Sequence, residues 1–164
     1  EFPDTKIAIA RYIGIYGCNQ DYNLDTGSVI PVFINRAINY PVTPFNVWGT
    51  GKETRSYCFI DDAIECTKLM IEKLDDVNFL EPMNVGRQER VSIEEIANKV
   101  VDISGKNIEI EFDTSKETHI WGHWFDCSKA EEVLGWRANT TFEDGLKKVY
   151  EDINRRLNDE VLGK

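Results

Sequence analysis

The sequence predicts an α/β fold, because short apolar runs typical of strands alternate with stretches of helical periodicity along its 164 residues. The run KIAIARYIGIYG, residues 6–17, is dense in apolar side chains and ends at a glycine, which favours a strand buried on both faces of a parallel sheet. The stretch SIEEIANKVVDISG, residues 92–105, has apolar residues at helical spacing between a capping box and a glycine stop. The segment NIEIEF, residues 107–112, alternates apolar and polar residues and predicts a half-buried strand.

Cap residues predict where the other helices begin. Ser28 is a favourable N-cap for the apolar stretch VIPVFINRAINY that follows it. Asp61 or Asp62 is expected to cap the next helix, over DDAIECTKLMIEKL. Thr141, followed three residues later by Asp144, is expected to begin the last helix.

Composition excludes several classes of function. The net charge of −10 argues against a general binder of nucleic acids or anionic membranes, since both partners require a surplus of Lys and Arg. The sequence contains no apolar run of membrane-spanning length, and its first residues do not resemble a signal peptide. The four cysteines are far apart and form no C-x-x-C pair, which favours reduced thiols in a cytoplasmic protein.

The glycine-rich stretch WGTGKETRSYCFIDD, residues 48–62, comes within one residue of a dinucleotide-binding fingerprint. A phosphate-binding loop of that type needs a strand before the glycines and a helix after them. The preceding FNVW suits a strand, but the following TRSYCFI is β-branched and aromatic and predicts a second strand. The glycines are therefore expected to form the turn of a strand hairpin.

Arg55 is the residue of this stretch with the clearest chemical potential. It stands just after the glycine turn, at the head of a predicted strand, where a guanidinium is well placed to bind phosphate in a bidentate manner. The alternative is an ordinary surface arginine paired with Glu53 or Asp61. The spacing alone leaves both interpretations open.

His119 and His123 are four residues apart, as are two metal ligands on one face of a helix. Gly122 and the surrounding aromatics make a poor helix, and no third ligand is apparent nearby, so a metal site is not expected. Together with Lys116, the two imidazoles would also suit an anionic ligand. The sequence has no G-x-S-x-G, Walker, H-E-x-x-H or Tyr-x-x-x-Lys motif. The residues alone therefore predict a soluble α/β domain with a candidate anion pocket.

Five segments, taken in order, resemble the C-terminal half of the extended short-chain dehydrogenase/reductases, the family of NAD-dependent sugar-nucleotide epimerases, dehydratases and decarboxylases. They are RYIGIYG, GSVIPVFINRAI, VWGTGKETRSYCFIDDAIE, MNVGRQERVSIEEIA and DCSKAEEVLGWRANTTFEDGL. The resemblance covers nearly the whole chain. It implies the last strands of a Rossmann-type parallel sheet plus the small α/β C-terminal substrate-binding domain of that family.

The resemblance also implies roles for single residues. Arg55 falls on the position that binds the diphosphate of the sugar nucleotide, and Trp48 falls on an aromatic or apolar position beside the nucleobase. Lys116 falls where a second diphosphate-binding arginine is usual. The other matched substrate positions are Val29, Ile30, Asn84, His119 and His123, with Gly14 in place of a common substrate-contacting asparagine. Tyr16 falls near the cofactor.

By this resemblance, the loop that binds NAD or NADP and the catalytic Tyr-x-x-x-Lys pair would lie before Glu1. The chain is thus expected to be a fragment without catalysis or cofactor affinity of its own. Residues 1–27 would end the NAD-binding domain, and residues 28–164 would mainly form the substrate domain, with residues 60–85 able to return to the Rossmann sheet. Expected partners are UDP-, dTDP-, GDP- or CDP-sugars and, in the full-length enzyme, a second copy in a homodimer. The alternative is a non-catalytic module for nucleotide-sugar binding or protein interaction.

A fragment of this kind should also show where its sheet is incomplete. The first strand, KIAIARYIG, would lose half of its sheet. It should therefore lie at an edge covered by a neighbouring chain, or leave an apolar patch on the surface.

Overall fold

A computed structural model describes residues 5–75, 81–116, 122 and 125–163. Within these residues the fold is α/β, as the sequence predicted, with eight short strands and five helices. The strands are β1 (Ala10–Tyr12), β2 (Ile15–Tyr16), β3 (Phe45–Trp48), β4 (Thr54–Ser56), β5 (Cys58–Phe59), β6 (Met83–Val85), β7 (Arg90–Ser92) and β8 (Ile110–Asp113). The helices are α1 (Val29–Asn39), α2 (Ile60–Glu72), α3 (Ile93–Ser104), α4 (Ser128–Leu134) and α5 (Phe142–Val161).

Strand pairing is mostly parallel and mostly between distant segments. Three pairs are parallel, namely β1 with β6, β2 with β5 and β3 with β8, while β4 and β7 are antiparallel. The expected hairpin of β3 and β4 is therefore wrong. The glycine turn separates them, since Gly49 and Gly51 have φ angles of 75° and 73° and send the chain from one sheet to another. Glu94 N donates to Gly51 O over 2.9 Å, which ties this turn to the first residues of α3.

Two buried clusters form the interior. The first joins one face each of α1, α3 and α5 to β3, with Phe45, Ile34, Ile96, Leu146 and Ile153 among its members. The second joins β6, α2 and α4, with Met83, Val85, Met70, Leu134 and Trp136 among its members. The described chain thus has two centres of apolar packing, connected through β2 and β5.

The helix caps follow the sequence closely at α3 and α5. Ser92 Oγ accepts from Glu95 N over 3.1 Å, and the Glu95 carboxylate accepts from Ser92 N over 2.6 Å, so the predicted capping box is confirmed. Thr141 Oγ1 accepts from Asp144 N over 3.1 Å at the start of α5. The expected cap of α2 by an aspartate is wrong, because Phe59 occupies the N-cap position.

The run at residues 6–17 also differs from expectation. It forms two very short strands separated by Gly14, which has a φ of 56°. Its apolar side chains are not buried on both faces, since Ile7 is 68% exposed and Tyr12 is 51% exposed. The reason is that β1 has one neighbouring strand, β6, in the described part of the chain. Apolar side chains of this run therefore reach the surface beside β1, among the exposed charges of Lys6 and Arg11, and a continuous apolar patch there stays a prediction.

The four cysteines are free; Cys58, Cys66 and Cys127 are buried, while Cys18 is exposed. Among the described residues, none of the helices has the length and apolar character needed to cross a membrane.

Candidate functional site

A cavity of about 300 Å³ opens between α1 and the glycine turn. Its apolar wall is provided by α1, whose residues Val29, Val32 and Phe33 project into it together with Arg36. These positions are spaced i, i+3, i+4 and i+7, which places them on one face of the helix. The opposite wall consists of Trp48, Glu53 and Arg55 from the segment around the glycine turn.

Arg55 is held in position by the ladder between β4 and β7. It lies opposite Val91, and Ile93 N donates to Glu53 O over 3.0 Å at the end of the same ladder. Glu53 and Arg55 are two residues apart on an extended chain and therefore face the same side, toward the cavity. Arg55 is half-buried, and across the described residues its guanidinium forms no ion pair with Glu53 or Asp61.

Trp48 and Lys116 come together at the edge of the cavity. Trp48 ends β3, is 61% exposed and lies opposite Asp113 in the parallel pair of β3 with β8. Lys116 follows β8 through a turn in which Ser115 N donates to the Asp113 carboxylate over 3.1 Å. This turn brings Lys116 Nζ to 5.9 Å from the centroid of the Trp48 ring. The hydrogen bond from the Ser115 hydroxyl lowers the pKa of Asp113, so the turn is stabilised by an ionised carboxylate.

Arg36 is a cavity residue that sequence reasoning missed. It lies in the last turn of α1, and its Nη1 donates to the carbonyl oxygen of Asn46 in β3. Burial lowers the pKa of the Arg36 guanidinium below its ordinary value, as expected for a cation partly removed from water. A signal was available in the sequence, because Arg36 is a charged residue on the helical face defined by Val29 and Val32.

The charges that line the cavity are balanced, whereas the protein as a whole is acidic. Arg36 and Arg55 line the cavity and Lys116 stands at its edge, against the carboxylates of Glu53 and Asp25. The protein as a whole has a net charge of −10. A small anion could therefore be held here by guanidinium groups, next to apolar and aromatic surface.

The other predicted site residues are placed elsewhere. Ile30 is 1% exposed and packs into the first buried cluster, so it does not line the cavity although its neighbour Val29 does. Asn84 lies in β6, opposite Arg11, and its Nδ2 donates to Asp126 O over 2.7 Å.

The surroundings of Gly14 and Tyr16 indicate structural roles for both residues. A Cβ at Gly14 would lie 2.0 Å from Ser56 O, so this glycine lets the segment between β1 and β2 approach the end of β4. Tyr16 is buried in the first cluster, where its hydroxyl donates to Phe142 O over 3.2 Å. Burial raises the pKa of Tyr16, which keeps the phenol protonated. His119 and His123 lie outside the described residues.

Comparison with known proteins gives a consistent family. The sequence model of the family described as GDP-mannose 4,6-dehydratase matches residues 4–149. UDP-glucuronic acid decarboxylase 3 from Arabidopsis thaliana is 31% identical over 153 residues, which is 93% of this chain and 42% of the plant enzyme. GDP-mannose 3,5-epimerase from the same plant is 33% identical over 152 residues, which is 93% of this chain and 39% of that enzyme.

Solved structures show the same fold. A UDP-glucuronic acid 4-epimerase variant from Bacillus cereus, in complex with UDP-4-deoxy-4-fluoro-glucuronic acid and NAD, superimposes with a TM-score of 0.79 at 29% identity, over 92% of this chain and 46% of that chain. UDP-glucose 4-epimerase from Thermotoga maritima, with UDP-glucose, gives a TM-score of 0.81 at 24% identity, over 93% of this chain and 47% of that chain. The chain therefore spans about two fifths of the curated relatives and just under half of the solved ones.

Proposed function

This chain belongs to the GDP-mannose 4,6-dehydratase family, within the extended short-chain dehydrogenase/reductases, and we propose that it is the substrate-binding part of an NAD(P)-dependent sugar-nucleotide epimerase, dehydratase or decarboxylase. The observation that carries the proposal is the cavity between α1 and the glycine turn. There the Arg55 guanidinium, which has no carboxylate partner among the described residues, faces a space bordered by apolar side chains and Trp48.

Arg55 binds the diphosphate in this proposal. A guanidinium donates two parallel hydrogen bonds to phosphate oxygens, and such charge-assisted bonds are strongest where water is partly excluded. Lys116 adds a second positive charge from the edge of the cavity, as a point charge without the planar fork of arginine. Trp48 offers an aromatic face to the nucleobase, and Val29 extends the apolar wall.

In the part of the chain that the structure describes, the glycine turn does not fit the nicotinamide cofactor. The glycine turn at Gly49 and Gly51 leads into β4 and not into a helix, so it lacks the helix N-terminus on which a dinucleotide-binding loop holds the pyrophosphate of its cofactor. The sequence also has no Tyr-x-x-x-Lys pair. We place the cofactor loop and the catalytic pair in a part of the whole protein outside these 164 residues. When bound there, the cofactor supplies hydride transfer, while this chain binds and orients the nucleotide end of the substrate.

The second buried cluster supports the division of the chain into a part that belongs to the cofactor-binding domain and a part that binds the substrate. Ala8, Ala10 and Ile15 pack against this cluster, whose buried members include residues of α2, β6 and α4. The cavity, in contrast, is lined by residues between Leu24 and Arg55 and by Ile93. We propose that residues 1–27 and 60–85 belong mainly to the edge of the cofactor-binding sheet and that most of residues 28–164 form the substrate domain. Leu24, Asp25 and Gly27 then stand at the boundary, because they also line the cavity.

Calorimetric titration of the 164-residue chain with nucleoside-diphosphate sugars tests the proposal. The expected result is heat of binding with at least one UDP-, dTDP-, GDP- or CDP-sugar, none with the corresponding free sugar, none with NAD, and no turnover. Binding of NAD to the chain, or epimerisation by it, would contradict the assignment of the cofactor and the catalytic residues to another part of the protein. Absence of binding by every nucleotide sugar would contradict the substrate site itself.

A further inference from the structure

Arg36 has hydrogen-bonding capacity that the fold does not use. A guanidinium carries five N–H donors and no acceptor, and one donor of Arg36 goes to the carbonyl oxygen of Asn46. Within the described ranges, no carboxylate forms an ion pair with Arg36, although the side chain is half-buried. A partly desolvated guanidinium that lines a cavity retains donors for whatever enters it.

The guanidinium lies beside the strand that carries the exposed tryptophan. Asn46 and Trp48 are two residues apart in β3, about 6–7 Å along an extended strand, and their side chains face the same side. Arg36 and Trp48 both line the cavity. A planar base stacked on the Trp48 ring would therefore present its edge within the reach of a long, donor-only side chain.

We propose that Arg36 selects the nucleobase. It favours a base with a carbonyl oxygen on the edge that faces the guanidinium over a base with an amino group at that position. This inference rests on the proposed function, since it concerns the base of the bound nucleotide. Uracil and thymine carry an oxygen at position 4, and guanine carries one at position 6. Cytosine and adenine carry amino groups at these positions, and an amino group facing a guanidinium leaves donors on both sides unpaired. The preferred substrates are thus UDP-, dTDP- or GDP-sugars, and CDP-sugars are disfavoured.

Competition binding with UDP, CDP, GDP and ADP on the full chain tests the inference. The parent should bind UDP about ten- to a hundredfold more tightly than CDP, and GDP more tightly than ADP by a similar factor, because a charge-assisted hydrogen bond is gained or lost. Arg36→Gln keeps a donor for the Asn46 carbonyl but adds an acceptor, and it should bring both ratios to within about threefold of unity.

The matched control is Lys106→Met. Lys106 Nζ donates to Ala37 O over 3.0 Å at the same end of α1, yet Lys106 does not line the cavity. This variant should keep the parent's ratios of UDP to CDP affinity and of GDP to ADP affinity. An equal loss of selectivity in Lys106→Met and Arg36→Gln would overturn the inference, because a loosened end of α1 would then be the cause. A measurement on the ligand needs no variant. The diphosphate of pyrimidin-2-one riboside, which has no oxygen at position 4, should bind the parent about tenfold or more weakly than UDP.

The outcomes separate this inference from the function on which it rests. If no nucleoside diphosphate binds, or if Arg55→Ala leaves all four affinities unchanged, the proposed substrate site fails and the inference fails with it. If binding depends on Arg55 but the parent prefers CDP, or Arg36→Gln keeps the parent ratios, or the pyrimidin-2-one analogue binds as tightly as UDP, only the role of Arg36 is overturned.

Discussion

The ammonium group of Lys116 lies over the indole of Trp48, with Nζ 5.9 Å from the ring centroid. The two residues are brought together by the parallel pairing of β3 with β8, in which Trp48 is opposite Asp113. A cation at this distance is attracted by the π-electron face of the ring. The contact fixes the edge of the cavity in which we place the nucleotide, with an aromatic surface and a positive charge side by side.

Replacement of Trp48 should weaken nucleotide binding. Loss of aromatic stacking on a base costs about 1–3 kcal/mol, so Trp48→Ala should lower the affinity roughly five- to a hundredfold, and Trp48→Phe should recover part of the loss. Calorimetry on Trp48→Ala, Lys116→Ala and the double variant measures the coupling of the pair. We expect a coupling energy of about 0.5–1 kcal/mol, and strict additivity would show that the contact does not contribute to binding.

Asp62 should contribute to stability through a buried bond between helices. It is 6% exposed and its carboxylate accepts from Thr140 N over 2.9 Å and from Thr140 Oγ1 over 3.0 Å, so it joins α2 to the residue before the cap of α5. Asp62→Ala would leave the Thr140 donors unpaired and should lower the free energy of unfolding by about 2–4 kcal/mol. Its exposed neighbour Asp61 gives a matched control, since Asp61→Ala should change the free energy of unfolding by less than about 0.5 kcal/mol. Similar values in urea unfolding of the two variants would contradict this role.

Asp152 should make the stability of the protein sensitive to acid. Burial opposes ionisation of this carboxyl and would raise its pKa. The carboxylate, however, accepts hydrogen bonds from Asn19 N at 2.9 Å and from Arg155 Nη2 at 2.7 Å, and it lies near the charges of Arg156 and Arg155. These interactions outweigh burial, so the pKa of Asp152 is lowered. A lowered pKa in the folded state contributes stability that is complete above the unfolded value of about 3.9 and is lost as the pH falls through the folded value.

The corresponding measurement is the free energy of unfolding between pH 7 and pH 2. In the parent it should fall on acidification, and Asp152→Asn should be less stable at neutral pH but less dependent on pH below about 4. Glu151→Gln, a change at the exposed residue next to it, should keep the pH dependence of the parent. Parallel curves for the parent and Asp152→Asn would show that Asp152 has the same pKa in the folded and unfolded states.

Local features of the fold were predictable because their determinants are close in sequence. Ser92 and Glu95 form a capping box within one helical turn, and the left-handed Gly105 ends the same helix. The partners of strands were not predictable in this way. The pairing of β3 with β8 joins segments more than sixty residues apart, and the adjacent β4 suggested a hairpin that is absent from the described strands.

The site shows the same difference between local features, which could be predicted, and tertiary partners, which could not. Arg55, which lines the cavity, was singled out from its place after the glycine turn, where the spacing left a phosphate site and a surface ion pair both open. The family resemblance then favoured the diphosphate, because a motif depends on contiguous residues. Arg36 was missed since its importance depends on which face of α1 meets the cavity. Asp61 or Asp62 was expected to be a local cap, but the Asp62 carboxylate accepts hydrogen bonds from Thr140, a residue far along the chain. Tertiary partners of this kind decide the role of a polar residue and leave little trace in the local pattern.

The most direct test of the placement of the diphosphate is calorimetric titration of Arg55→Ala with the nucleotide sugar that the parent binds. Loss of a charge-assisted hydrogen bond costs about 1.5–3 kcal/mol, so the affinity should fall roughly ten- to a hundredfold while the free energy of unfolding stays within about 1 kcal/mol of the parent. Arg55→Lys should recover only part of the affinity, because an ammonium cannot reproduce the bidentate geometry. The control Arg137→Ala removes an exposed guanidinium that pairs with Glu131 and lies outside the cavity, and it should bind like the parent. An unchanged affinity in Arg55→Ala would contradict the assignment of Arg55 to the diphosphate.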